Sequence, residues 1–134
     1  IPFRFPEHHP FMTVAAQRLL AQENADWKMV ERAFDYVWIE GKDPNLSWPE
    51  FCIYLGLPSD TAKPENPDTK AKLISNTNQA KAAGAFGVPA LIVDQHCFWG
   101  LDTIDWVCDY LARPTMFSEP PYRNAANIPN GLAP

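Results

Sequence analysis

The stretch GAFGVPALIVDQHCFWGLD, residues 84–102, decides how this chain is read. Ahead of it the sequence has a helical texture, and within it the texture turns to β. Ala90, Leu91, Ile92 and Val93 form a short apolar run suited to a strand buried on both faces. Asp94 and Gln95 suit a turn, and residues 96–99, HCFW, suit a short antiparallel partner. Proline cannot donate to a sheet ladder, so Pro89 is compatible with this reading only at a strand's first position. Gly100 and Leu101 then break the β pattern. A last helix is predicted over residues 103–112, with Asp102 as its cap and Ile104, Val107, Cys108 and Leu111 facing inward.

Working back towards the start, each helix signal is local. Residues 1–11 carry Pro2, Pro6 and Pro10 and predict an extended approach. Thr13 is placed to cap a helix that runs to about Glu23, with Met12, Ala16, Leu19 and Leu20 on one side. Asp26 caps the next, whose apolar stripe is Trp27, Val30, Phe34, Val37 and Trp38; Gly41 ends it. Ser47, Trp48, Pro49 and Glu50 have the form of a capping box opening a short helix that stops at Gly56. Asn66 followed by Pro67 opens an alanine- and lysine-rich helix that reaches Ala83, with a break expected near residues 75–77. The tail, residues 114–134, holds five prolines and reads as an extended arm without a core of its own.

Eleven basic against sixteen acidic side chains leave a net charge of −5. No basic cluster is available to neutralise phosphates, so nucleic acid and anionic membrane surfaces are not expected partners. No apolar run approaches the roughly 20 residues of a membrane span. Cys52, Cys97 and Cys108 are an odd set without a C-x-x-C pair, which fits a reducing compartment and packed, unreactive thiols. A cytoplasmic or organellar-matrix location is the expectation. Glu7, His8 and His9 invite a metal reading, but adjacent histidines diverge and no further ligand lies at suitable spacing, so no metal is expected. His96 is read as structural, and Trp99 as packing on the last helix. Two strands are too few for an independently stable sheet, so a further β segment, from a preceding stretch or a second chain, is expected to complete it.

Residues 76–111, NTNQAKAAGAFGVPALIVDQHCFWGLDTIDWVCDYL, resemble the C-terminal end of the DsbA-like thioredoxin superfamily. The likeness is to the branch of 2-hydroxychromene-2-carboxylate isomerase and kappa-class glutathione transferase. The Gly-Val-Pro approach and the Phe-Trp-Gly-x-Asp ending carry it, and IPFRFP at residues 1–6 extends it over about residues 1–111. The resemblance implies an α/β thioredoxin-like fold with an inserted helical domain, in which this chain is mostly helical. Residues 1–11 would lead in, 12–83 would be the insertion, 84–113 the second half of the thioredoxin unit and 114–134 the tail. The first β-α-β half, with the serine that activates glutathione sulfur in this branch, has no counterpart here, so no catalytic residue is assigned.

The resemblance further implies glutathione as cofactor, bound by Val88, Pro89, Leu101 and Asp102. A cis Val88–Pro89 bond would turn the Val88 backbone outward to pair with the cysteinyl unit, a one-residue strand addition. The residues alone favour an ordinary trans proline at a strand start, and it is the resemblance that implies cis. Asp102 would hold the γ-glutamyl ammonium, beside helix N–H groups holding the carboxylate. Leu101 and Thr103 depart from the small polar residue and the arginine usual in the branch, and Leu101 can offer only its backbone. The function implied is a glutathione-dependent isomerase or transferase of a small aromatic or electrophilic acid, in a homodimer. In an isomerase the thiolate adds to the conjugated substrate, permits rotation and leaves; in a transferase it stays attached. The alternative is a thiol-disulfide oxidoreductase with its C-x-x-C in the N-terminal half. A non-enzymatic helical interaction module is the third reading.

Overall fold

A computed structural model describes residues 2–120 and 122–125. In chain order the elements are α1 (Val14–Gln22), α2 (Trp27–Trp38), α3 (Trp48–Leu55), α4 (Pro67–Ala82), β1 (Ala90–Val93), β2 (His96–Trp99) and α5 (Ile104–Ala112). A 3-10 turn at Leu101–Thr103 precedes α5; a second, Met116–Ser118, and the short α6 (Tyr122–Ala125) follow it. The chain divides into two compact units, one ending at Asn78 and the other starting at Gln79, so the division falls within α4.

In the first unit the caps behave unequally. Asp26 accepts from the Met29 N–H at 2.8 Å, and Asn66 accepts from the Thr69 N–H at 2.8 Å, as their positions predict. Thr13 precedes α1 but makes no side-chain cap; its hydroxyl accepts instead from Gln17 Nε2 at 2.9 Å. Ser47 likewise makes no side-chain cap to α3. Its partner in the expected box, Glu50, is drawn 2.6 Å from Lys42 Nζ. The break expected at residues 75–77 is absent, because α4 runs through them. The Thr77 hydroxyl donates to the Leu73 carbonyl at 2.9 Å, a bond that lies along the helix rather than against it.

The core of this unit is Leu19, Ala33, Tyr36, Trp48, Phe51, Cys52 and Leu55. The burial of α2 corrects the sequence reading: Ala33 and Tyr36 face the core, whereas Trp27 is 78% and Phe34 60% exposed. The reason is the partner. α2 packs on α3 through Tyr36, whose ring lies 5.1 Å from Phe51 and 5.3 Å from Tyr54, and this contact rotates the larger aromatics away. Burial, and then the neighbouring Glu50 carboxylate, push the Tyr36 hydroxyl up to about 12.

In the second unit β1 and β2 form the expected hairpin, antiparallel, with Ala90 opposite Trp99 and Val93 opposite His96. Asp94 takes the positive φ of the turn, +52°. Tyr110 reaches back from α5 to donate to Asp94 Oδ2 at 2.8 Å, which holds its hydroxyl above the usual value. The core here is Phe98, Val107, Tyr110 and Met116, with Val93, Phe117 and Tyr122 packed against it. Two expectations are corrected. α5 buries Val107 and Tyr110, while Ile104, Cys108 and Leu111 are exposed, because β2 and the segment after α5 cover only that face. Residues 114–120 and 122–125 are not an extended arm, since Met116 is fully buried and Phe117 stacks on Tyr110 at 5.5 Å. The expected arm at residues 126–134 lies outside the described residues. Among the described residues β1 has one strand neighbour, β2, and Leu91 and Ile92 remain about two-fifths exposed, at 41% and 39%.

Two outcomes test the first core. Phe51→Ala is expected to cost about 3–5 kcal/mol and Trp27→Ala less than about 1 kcal/mol in urea denaturation; equal losses would mean that the aromatic stripe is core after all. Tyr36 is neutral in the fold, and its folded value of about 12 exceeds the ordinary 10. Its contribution to stability is therefore complete below pH 10 and lost as pH rises towards about 12. Tyr36→Phe is expected to remove that alkaline decline, read as Tm against pH.

Candidate functional site

The hairpin positions the site. The Gly100 N–H donates to the Pro89 carbonyl at 2.9 Å, which extends the ladder one pair beyond Ala90 and Trp99. Val88 and Pro89 on one strand end are thereby placed beside Leu101 and Asp102, which follow the other. All four residues named from the sequence lie at the same end of the hairpin. All four are exposed, Val88 at 91% and Leu101 at 76%. The Val88–Pro89 peptide is cis, as is His9–Pro10. Among the described residues, no hydrogen bond engages the Val88 N–H or C=O.

Asp102 corrects its expected role. It lies in the middle of the 3-10 turn, and Thr103 is the residue that precedes α5. The inserted turn delays the helix, so the carboxylate folds back over Gly100 instead of capping α5. Gly100 adopts φ +90° and ψ 161°, a conformation that side chains disfavour, and a Cβ there would collide with Asp102 Oδ1. The Thr103 hydroxyl closes the turn from the other side, donating to the Gly100 carbonyl at 2.8 Å. Asp105 sits in the first turn of α5, so that end of the helix carries two carboxylates near its N–H groups.

Trp99 packs on the segment that leads into β1. Its ring lies 5.2 Å from Phe86, and its indole covers Gly87 so closely that a Cβ would come within 3.1 Å of the ring carbons. The sequence reading gave Phe86 no role and took Thr103 only as a departure from the branch's arginine, not as the residue that closes the turn. Gly87 was visible in the Gly-Val-Pro approach, but only the fold shows that an indole lies above it. His96 packs 4.8 Å from Phe117 and 4.9 Å from Tyr110. In the other unit His9 sits among Phe5, Phe11 and Trp38, at 5.1, 6.4 and 5.5 Å between ring centres. All three cysteines are free: burial pushes the Cys52 thiol up, Cys97 is half-buried, and Cys108 is exposed, against the expectation that all are packed.

Gly100→Ala is expected to cost about 1–3 kcal/mol through its backbone conformation alone. It should also shift the amide resonances of residues 101–103; an unchanged Tm and unchanged spectrum would show that the turn is not held as described.

No curated protein sequence matches the chain. The solved structure of selenomethionine 2-hydroxychromene-2-carboxylate isomerase matches with a TM-score of 0.66 at 19% identity, over 97% of this chain and 63% of that one. The chain thus spans less than two thirds of that protein's length and shares its fold. The profile of the DSBA-like thioredoxin domain matches residues 1–112, which include the helical unit, the hairpin and α5. The chain belongs to the DSBA-like thioredoxin domain family.

Proposed function

We propose that this chain is the larger part of a glutathione-dependent isomerase or transferase, acting on a small aromatic or electrophilic organic acid. The observation that carries this reading is the Val88 backbone, unengaged among the described residues and held beside Leu101 and Asp102 by the Gly100–Pro89 bond. An extended peptide needs one strand edge to pair with and a charged group for each of its ends. Val88 offers the edge, Asp102 a partner for the γ-glutamyl ammonium, and the first N–H groups after Gly100 a partner for the carboxylate. Leu101 contributes backbone only. Glutathione supplies the thiolate nucleophile, and the residues described here orient it. The likeness in fold to an isomerase supports the reaction class.

The side of β1 without a strand neighbour among the described residues, with Leu91 and Ile92 exposed, supports a further β-α-β half covering it, from the same polypeptide or a second chain. A reducing compartment, cytoplasm or organellar matrix, agrees with three free cysteines; a homodimer belongs to the same proposal. A thiol-disulfide oxidoreductase on the same fold is the second reading, favoured by the family alone.

Calorimetric titration of the full-length protein with glutathione tests the proposal. Saturable binding is expected, weakened by about tenfold in Asp102→Asn through loss of a charge-assisted bond. Absence of binding at millimolar glutathione, together with catalysed reduction of a disulfide substrate, would instead support the oxidoreductase.

A further inference from the structure

We infer that the helical unit has a binding site of its own, for one neutral aromatic ring bearing a hydroxyl or carbonyl oxygen. The inference rests on this unit alone and stands whether or not glutathione binds at Val88 and Asp102. A cavity of about 160 Å³ opens between α1, α2 and the segment leading into α1. An apolar hole of roughly this size holds a benzene-sized molecule. Its floor is Ala33 and Phe51, both core residues, and its walls include Leu20 and Ala16 of α1 and Phe34 and Trp38 of α2.

The gap is not loose packing of the whole unit, because Leu19, Tyr36 and Phe51 beside it are fully buried. Its walls are also held in place. The Trp38 indole is stacked by Phe3 at 5.8 Å and met edge-on by His9 at 5.5 Å, so one wall is already ordered before a ligand arrives.

The lining fixes the ligand's chemistry. Among the described residues no ionisable side chain contributes to it, so none of them offsets the lost hydration of a charged group. The polar members are Thr13, which precedes α1, and Gln17 in its first turn, joined by the 2.9 Å bond from Gln17 Nε2 to Thr13 Oγ1. That bond leaves the Thr13 O–H and a second Gln17 N–H as donors, and the Gln17 amide oxygen as acceptor. A phenol-like oxygen can use both kinds. Thr13, whose position suits a helix cap but which caps nothing, thus has a use that its local sequence does not reveal.

Phenol is the probe, with toluene and benzoate for comparison, titrated into the full chain and followed by ligand-detected nuclear magnetic resonance. Saturable one-to-one phenol binding at about 0.1–1 mM is expected for so small a ligand. Benzoate should bind at least about tenfold more weakly. Ala16→Leu fills the cavity and is expected to abolish binding without lowering Tm. Thr13→Val keeps the shape; it should weaken phenol by about fivefold and leave toluene unchanged, and it decides the matter if Ala16→Leu fails to fold. Failure to saturate by about 10 mM phenol, or equal affinity in Ala16→Leu, overturns the inference. Phenol affinity that falls as protein concentration rises would assign the cavity to a second copy of the chain and also overturn it.

Discussion

The hydrogen bond from the Gly100 N–H to the Pro89 carbonyl is the constraint on which the candidate site depends. It is the last rung of a ladder whose register places Phe98 inward with Val107, Tyr110 and Met116. A slip of one residue would send Phe98 to the opposite face and separate Val88 from Asp102. The same bond permits the Gly100 conformation that only glycine adopts easily, and so brings the Asp102 carboxylate back over the turn. Core and candidate site therefore share one register.

Each unit buries less apolar surface than its sequence offers. In the first, Trp27 and Phe34 remain outside because Tyr36 occupies the contact with α3. In the second, Val88, Leu91, Ile92, Leu101 and Leu111 are exposed around a two-stranded sheet. Such a sheet is marginal alone, and in this unit α5 and the buried Met116 supply the layer that covers one face of β2. The segment after α5 is thus part of a core, although its prolines suggest otherwise.

Much of the fold was legible because the signals are local. The hairpin matched its sequence boundaries at 90–93 and 96–99, since the run of β-formers ends at a residue that tolerates positive φ. Asp26 and Asn66 capped as placed because an N-cap needs only its own side chain and an N–H three residues on. Thr13 and Asp102 departed from the same rule where a neighbour competed: Gln17 for the threonine hydroxyl, and a 3-10 turn for the position of the acid. The four candidate binding residues were named from a resemblance; their gathering at one hairpin end follows from the turn between them.

Sequence by itself determined the order of the helices and strands from α1 to α5, the hairpin register and the adjacency of Val88, Pro89, Leu101 and Asp102, because each depends on contacts within about twenty residues. Tertiary structure alone decided which face of a helix is core. An amphipathic stripe states only that one side is apolar, whereas burial depends on the element that packs against it. For α2 that element is α3, for α5 it is β2 with Met116, and neither pairing is encoded in the stripe itself. The aromatic-sized cavity beside Thr13 belongs to the same class: its walls come from α1, α2, α3, the segment leading into α1 and Pro44, and only packing makes it a space.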